Sequence, residues 1–246
     1  MAMADRTAIE WTQATWNPVT GCSKVSPGCA HCYAETFAER WRGVPGHPYE
    51  QGFDFKLWPS RLNQPLRWKR SRIIFVNSMS DIFHERIPLP FLQQVFTVME
   101  EAHQHVFQVL TKRHERMAEV ASQLPWPKNV WMGVSIENKR WVSRADFLRR
   151  VPAAVRFISA EPLLGSLDGL DLTDIDWLIA GGESGPKHRP TREEWIVDLQ
   201  RKCRDSDTAF FFKQWGGARP KSGGRTLQGR EWSEMPTPQA RELLAV

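Results

Sequence analysis

The sequence predicts an α/β fold, a partial or complete (β/α) TIM-like barrel with parallel strands. Three observations carry that prediction. Six short runs are almost continuously apolar and rich in β-branched and aromatic residues, as strands covered on both faces are. Segments of helical spacing separate them. Each run ends in a polar, turn-prone motif, and in a β/α barrel such ends converge on one face.

The runs are Ile73–Asn77 (IIFVN), Val106–Leu110 (VFQVL), Val130–Ser135 (VWMGVS), Val155–Ser159 (VRFIS), Trp177–Ala180 (WLIA) and Ala209–Lys213 (AFFFK). Between them, Leu92, Val95, Phe96 and Met99 fall at i, i+3, i+4 and i+7. Met117, Val120, Ala121 and Leu124 repeat that helical pattern. Thr191 with Glu194 forms a capping-box signature ahead of Trp195, Ile196 and Leu199. Alternation of this kind implies right-handed crossovers. No glycine-rich dinucleotide fingerprint follows the first run, so a barrel is expected over a doubly wound sheet.

The motifs after the runs read NSMSD (77–81), TKR (111–113), SIEN (135–138), SAEP (159–162), GGESG (181–185) and KQWGG (213–217). Polar loops after one or two strands are ordinary. Six in succession, each with charged or amide side chains, point to a site at a barrel mouth. Lys112, Arg113, Glu137, Asn138, Glu161, Glu183 and Lys213 are its candidate residues. Taken singly, each is also explained by a salt bridge at the mouth.

A chain of 246 residues is long enough for one domain with a sizeable core. Residues 1–246 are read as that domain, with 216–246 a basic tail. No apolar run reaches 18 residues, so no membrane partner is expected. The opening MAMADRTAIEWTQ has no apolar h-region and does not read as a secretory signal. The expected compartment is cytoplasmic, where thiols stay reduced and clustered cysteines indicate metal or catalysis.

The net charge of +5 favours a polyanionic partner. Leu66–Arg72 (LRWKRSR) and the tail stretch GGARPKSGGRTLQGR concentrate basic residues. The tail, with Arg219, Lys221, Arg225 and Arg230, reads as a flexible loop that reaches phosphates over the site, or as a solvated linker. Most of the 12 tryptophans belong to the core. Trp16, Trp58, Trp68 and Trp215 sit beside Pro, Gly or basic residues and are the stacking candidates. His84 and His114 read as surface or capping residues.

Three of the four cysteines lie within GCSKVSPGCAHC, as Cys22, Cys29 and Cys32 with C-x6-C-x2-C spacing. A structural zinc site normally has four protein ligands, and His31 or His47 is the available fourth. Three thiols with an open position also suit an iron–sulfur cluster whose last iron binds something other than protein. Spacing alone leaves zinc and iron–sulfur open. Cys203, four residues after Leu199, reads as a buried structural thiol.

The cysteine cluster followed by CYAE resembles the radical S-adenosylmethionine superfamily. That resemblance implies a [4Fe–4S] cluster on Cys22, Cys29 and Cys32, on the loop after the first barrel strand. It also implies S-adenosyl-L-methionine as cofactor, with Tyr33 near its adenine. The usual superfamily spacing is C-x3-C-x2-C, so this loop is three residues longer. A Gly-Gly-Glu-like segment after the second strand holds the amino group of the cofactor in that superfamily. By strand order its counterpart is Asn77–Asp81, which assigns that role to Ser78, Ser80 or Asp81. The literal GGE, Gly181, Gly182 and Glu183, then makes a second cofactor or substrate contact, and Lys112, Glu137 and Glu161 complete the set.

Over nearly its whole length the chain resembles the phage Gp37/Gp68 family, also called DUF5131. The matching stretches are WNPVTGC, CAHCYAE, FVNSMSDIFH, LTKR, VWMGVSIEN, SAEPLLG, GGESGP and FFFKQWGG. A shorter likeness, in CxxCY, is to spore photoproduct lyase. Together these imply an enzyme that generates a 5′-deoxyadenosyl radical and acts on nucleic acid, DNA favoured over RNA, in photoproduct repair or base modification. An external one-electron reductant, such as flavodoxin or ferredoxin, would be its partner. The alternative is a non-catalytic, zinc- or cluster-stabilised nucleic-acid-binding protein.

Overall fold

The structure, a computed structural model, describes residues 7–237. The strands, in chain order, are β1 (Ala14–Trp16), β2 (Val19–Thr20), β3 (Lys56–Leu57), β4 (Ile73–Val76), β5 (Val106–Thr111), β6 (Val130–Ser135), β7 (Val155–Ala160), β8 (Trp177–Gly181), β9 (Ala209–Gln214), β10 (Thr226–Leu227) and β11 (Arg230–Glu231). Among the described residues seven of them form one sheet, in the order β1-β4-β5-β6-β7-β8-β9. Every neighbouring pair in it is parallel.

The sheet is a curled half-barrel, with β1 and β9 at its two edges. Of the partial or complete barrel expected, the described residues form the partial one. The six apolar runs all form strands. The seventh, β1, has three residues, too few to show as an apolar run.

Side-chain alternation sorts the strands into two faces. Ile74, Val76, Phe107, Val109, Met132, Val134, Ile158, Leu178, Phe210 and Phe212 point outward into the main core with the helices. That layer comprises α1 (Tyr33–Glu39), α2 (Leu89–Glu101), α3 (His114–Val120), α4 (Arg144–Arg149) and α5 (Glu193–Asp205). On α2 the expected stripe of Leu92, Val95, Phe96 and Met99 is fully buried, each side chain contributing about 1.5–3 kcal/mol. The second stripe is shorter than its spacing suggests. α3 stops at Val120, and a single 3-10 turn carries the chain on to Gln123.

Inward-facing residues form a separate cluster that includes Trp11, Ile73, Phe75, Trp131, Phe157, Trp177, Ile179, Phe211 and Met235. Trp177 is at its centre. Its ring lies 6.2 Å from Trp11 and from Trp131, 5.6 Å from Phe157 and 6.1 Å from Phe211. The lower half of the concave face is thus a packed core rather than a pore. Gln108 lies within this layer and donates to the Trp11 carbonyl at 3.1 Å, while the charged side chains that the strands place on that face follow towards their C-terminal ends.

Two local expectations fail. The capping box does not form, because Thr191 Oγ1 donates to the Leu163 carbonyl at 3.0 Å and Arg192 is the cap residue, with no side-chain cap bond. The tail is no loose flap. Its β10–β11 hairpin leads into Trp232–Glu234, which runs along the free edge of β9 through a Phe211–Ser233 bridge. Lys221 pairs with Glu10 at 3.0 Å and Arg225 reaches the same carboxylate at 3.7 Å. Two of the four expected phosphate contacts therefore tie the tail to the N-terminal segment. Residues 238–246 of the expected tail lie outside the described residues.

Candidate functional site

Lys112, Glu137, Glu161, Glu183 and Lys213 each lie an even number of residues beyond inward-facing Gln108, Trp131, Phe157, Ile179 and Phe211. Their contacts show that these strand ends meet. Lys112 Nζ lies 3.9 Å from Glu137, and Lys213 Nζ 3.0 Å from Glu161. The Cys22–Cys32 loop follows β1 and docks onto these ends.

Four anchors hold that loop. Ser26 Oγ donates to Glu137 Oε1. Arg189 Nη2 donates to the Pro27 carbonyl at 3.0 Å. His31 Nδ1 is 3.1 Å from Glu183 Oε2. Arg113 donates to the Ser23 carbonyl at 3.1 Å and to Cys22 Sγ at 3.4 Å. The loop comes close enough that a side chain on Gly28 would sit 2.5 Å from Glu137 Oε1. Glycine is required there for that approach.

Burial explains the strength of the docking. Glu137 and Arg144 have side-chain exposures of 0% and 1% and pair at 2.9 Å. A charge that deep persists only when paired and hydrogen-bonded. Glu183 is nearly as enclosed and accepts from Arg189 Nη2 at 2.5 Å and Nε at 2.9 Å. Burial works to raise its carboxyl, but the Arg189 hydrogen bonds, helped by His31, hold it down at about 2.

The three thiols are half-buried and none is in a disulfide. Burial pushes Cys22 up to about 12, with Asp81 adding to the rise and Arg113 opposing it. Cys32 is raised by burial against the backbone N–H groups of Glu35 and Ala34 at the start of α1. Cys29 adds to the rise at both, so the three sulfurs share one electrostatic neighbourhood. Cys203 is buried, as expected, and its thiol is raised by that burial.

The segment after β4 faces this loop. Asp81 is saturated. It accepts from Thr111 Oγ1 at 2.7 Å, Lys112 N at 3.0 Å and Phe83 N at 3.0 Å. Ser80 Oγ donates to the Gly21 carbonyl at 2.9 Å, and Ser78 Oγ lies against the Asn17 amide. Tyr33 OH donates to the Ser78 carbonyl at 2.5 Å. Asn77 differs from all of these. It is 3% exposed and has a positive φ of 59°. Neither of its side-chain amide atoms has a hydrogen-bond partner. A buried, unpaired amide at a mouth is costly to maintain and points to a polar ligand.

Other expected positions are occupied differently. Gly182 packs against the Trp215 carbonyl and leaves no cradle. Trp16 is fully buried and donates from Nε1 to the Arg61 carbonyl at 2.8 Å, which removes it from the stacking candidates. Trp58 lies between Lys56, at 4.0 Å, and Arg61, at 3.8 Å. His84 is buried, not at the surface, with Nε2 3.0 Å from Ser23 Oγ. His47 stacks on Trp41 at 4.1 Å, so it does not serve as a fourth ligand. The LRWKRSR stretch enters β4 from its N-terminal end, opposite the cysteine loop. On the mouth side, exposed Lys139 and Arg140 follow β6, and exposed Lys187 and Arg192 follow β8.

Sequence reasoning missed Arg144 and Arg189. Their partners are fixed by folding rather than by local spacing.

The donor set fits a cluster with three cysteine ligands. Three half-buried thiols share one loop, Cys22 accepts an Arg113 N–H, and the unpaired Asn77 amide stands at the end of the next strand in the sheet. Among the described residues, no group of three His, Cys, Asp or Glu converges as a single-ion site. No helix among them is long and apolar enough to cross a membrane. The family described as "Protein of unknown function (DUF5131)" matches residues 6–236. No curated protein and no solved structure matches the chain.

Proposed function

The chain belongs to the DUF5131 family, and we propose that it is a [4Fe–4S]-dependent radical S-adenosylmethionine enzyme acting on nucleic acid. One observation carries the reading. A three-thiol loop follows the first strand of a curled parallel sheet, and an unpaired buried amide, Asn77, follows the second.

In this reading Cys22, Cys29 and Cys32 hold the cluster. When bound, cluster and cofactor together supply a 5′-deoxyadenosyl radical by one-electron cleavage of a carbon–sulfur bond, the reductant being a flavodoxin or ferredoxin. The remaining work belongs to the chain. Asn77 has a free acceptor and two free donors for the amino and carboxylate groups of the cofactor. Ser78, Ser80 and Asp81 act one step back, by holding Asn17, Gly21 and Arg113 in place. Tyr33 closes one side of the mouth through Ser78. Glu137 and Glu183 fix the cysteine loop.

Glu161 and Lys213 retain partial exposure, 14% and 28% for their side chains, and face the substrate. Lys139, Arg140, Lys187 and Arg192 provide the positive rim that a phosphate backbone requires. DNA is favoured over RNA as substrate, in photoproduct repair or base modification.

Anaerobic reconstitution with iron and sulfide, followed by electron paramagnetic resonance of the reduced protein, tests the reading. The expected result is a reduced [4Fe–4S] signal that changes on adding S-adenosylmethionine and is absent from the Cys22→Ala, Cys29→Ala, Cys32→Ala triple variant. A colourless protein that keeps stoichiometric zinc and ignores S-adenosylmethionine overturns it and leaves a zinc-stabilised binding module.

A further inference from the structure

Arg113 is 6% exposed and stands two residues after the end of β5. A guanidinium carries five N–H donors, and five acceptors surround this one. Nε donates to Glu85 Oε1 at 2.9 Å. Nη1 donates to Asp81 Oδ2 and to Cys22 Sγ, both at 3.4 Å. Nη2 donates to Ser23 O at 3.1 Å and to Ser23 Oγ at 2.8 Å. The fork is held rigidly by acid on one side and by the cysteine loop on the other.

The three thiols are not treated alike. Cys29 has the Ser26 hydroxyl at 3.9 Å and feels the Arg144 charge, with no cationic hydrogen bond to its sulfur among the described residues. Cys32 faces the backbone N–H groups that open α1. Cys22 alone among them has a buried cationic donor. A hydrogen bond to a cluster sulfur withdraws electron density from it and stabilises the reduced, more negative form of the cluster. A fixed positive charge in a low-dielectric site acts in the same direction. Asp81 works against both effects, but its two oxygens already accept from Thr111, Lys112 and Phe83. The donor nearest the sulfur is the Arg113 N–H.

We infer that Arg113 is a tuning residue: its N–H on Cys22 raises the reduction potential of the cluster and so sets which one-electron reductants can load it. The inference rests on the cluster reading given under Proposed function. The electron balance is simple. One electron enters the oxidised cluster from an external one-electron donor, and no bond in the protein is made or broken. Arg113 remains protonated throughout, since a guanidinium does not titrate in this range.

The test is an anaerobic redox titration of the reconstituted full chain, read by electron paramagnetic resonance. Wild type is compared with Arg113→Met and Arg113→Lys. Met removes both charge and donor. Lys keeps the charge opposite Asp81 and Glu85, and so keeps the fold, but one ammonium cannot serve Cys22, Ser23 and Glu85 together. The expected result is a cluster in both variants with a lowered midpoint. For Met the ratio of reduced to oxidised cluster at fixed poise falls by about tenfold, which is about 59 mV for one electron. For Lys the shift has the same sign and is smaller.

If Arg113→Met does not fold, Arg113→Lys decides. Midpoints equal to wild type overturn the inference. So does loss of the cluster from both variants, because Arg113 would then only hold the loop. A wild-type chain that binds no cluster sinks the cluster reading before any variant is made, and the inference falls with it.

Discussion

Two carboxylate–cation pairs stand one strand apart at the mouth of the half-barrel. Glu137, after β6, pairs with Arg144 at 2.9 Å, with side-chain exposures of 0% and 1%. Glu161, after β7, pairs with Lys213 at 3.0 Å, with exposures of 14% and 28%. Residue types and strand-end position are nearly the same. Surroundings separate the two. The cysteine loop covers the first pair through Ser26 and Gly28, whereas among the described residues no hydrogen bond joins that loop to the second. Alternation along a strand selects which residues face the mouth. What docks on them selects their work. One pair is a clamp, and the other is free to meet a ligand.

The sharpest way to break this comparison is to remove one member of the clamp. Glu137→Leu leaves Arg144 buried and uncompensated, which costs about 3–5 kcal/mol. A thermal melt is expected to show a drop of roughly 10 °C or more for a chain of this size. Arg144→Met added to Glu137→Leu recovers most of that loss, since an apolar pair of similar volume packs nearly as well. Proteolysis near Ser26 stays elevated in the double variant, because the loop still lacks its acceptor. A melt unchanged by Glu137→Leu would contradict the clamp.

The Glu183–Arg189 pair falls between these extremes and adds a pH dependence. Glu183 is held at about 2 in the folded state, against an ordinary value of 4.5. Its contribution is therefore fully present above about pH 5 and is lost as the pH falls from 4.5 towards 2. Glu183→Gln is expected to lower stability by about 1.5–3 kcal/mol at neutral pH, the range for hydrogen bonds to charged groups. The gap between the two melts should narrow below pH 4.5. A gap that stays constant down to pH 3 would place the stabilisation elsewhere.

How much of this was legible in the sequence follows from how local each feature is. Six strands and their polar ends could be read directly, because a continuous apolar run is a property of neighbouring residues alone. The mouth residues Lys112, Glu137, Glu161, Glu183 and Lys213 followed from them. β1 could not be read, since ATW is three residues with polar flanks. The clamp partner Arg144 was hidden among the arginines of RADFLRR, and burial is what distinguishes it. The tail misled for a similar reason. Its cations look free until Glu10, far away in sequence, folds against Lys221 and Arg225. Asn77 was legible as a strand end. Its unpaired amide became visible only once its neighbours had found other partners.

The open pair carries the smallest expected effect on stability, and the contrast depends on it most. Glu161 and Lys213 are both partly solvated, and an ion pair of that kind contributes about 0–1 kcal/mol. Lys213→Met is therefore expected to move the melting temperature by no more than about 4 °C. If the pair faces substrate, kcat/KM on a nucleic-acid substrate should nevertheless fall by about tenfold or more, equivalent to roughly 1.4 kcal/mol of transition-state stabilisation. The cluster signal should be unchanged, because Lys213 touches neither the cysteine loop nor its anchors. A stability loss as large as that of Glu137→Leu would make both pairs clamps and erase the distinction. Unchanged turnover with unchanged stability would remove the open pair from the site.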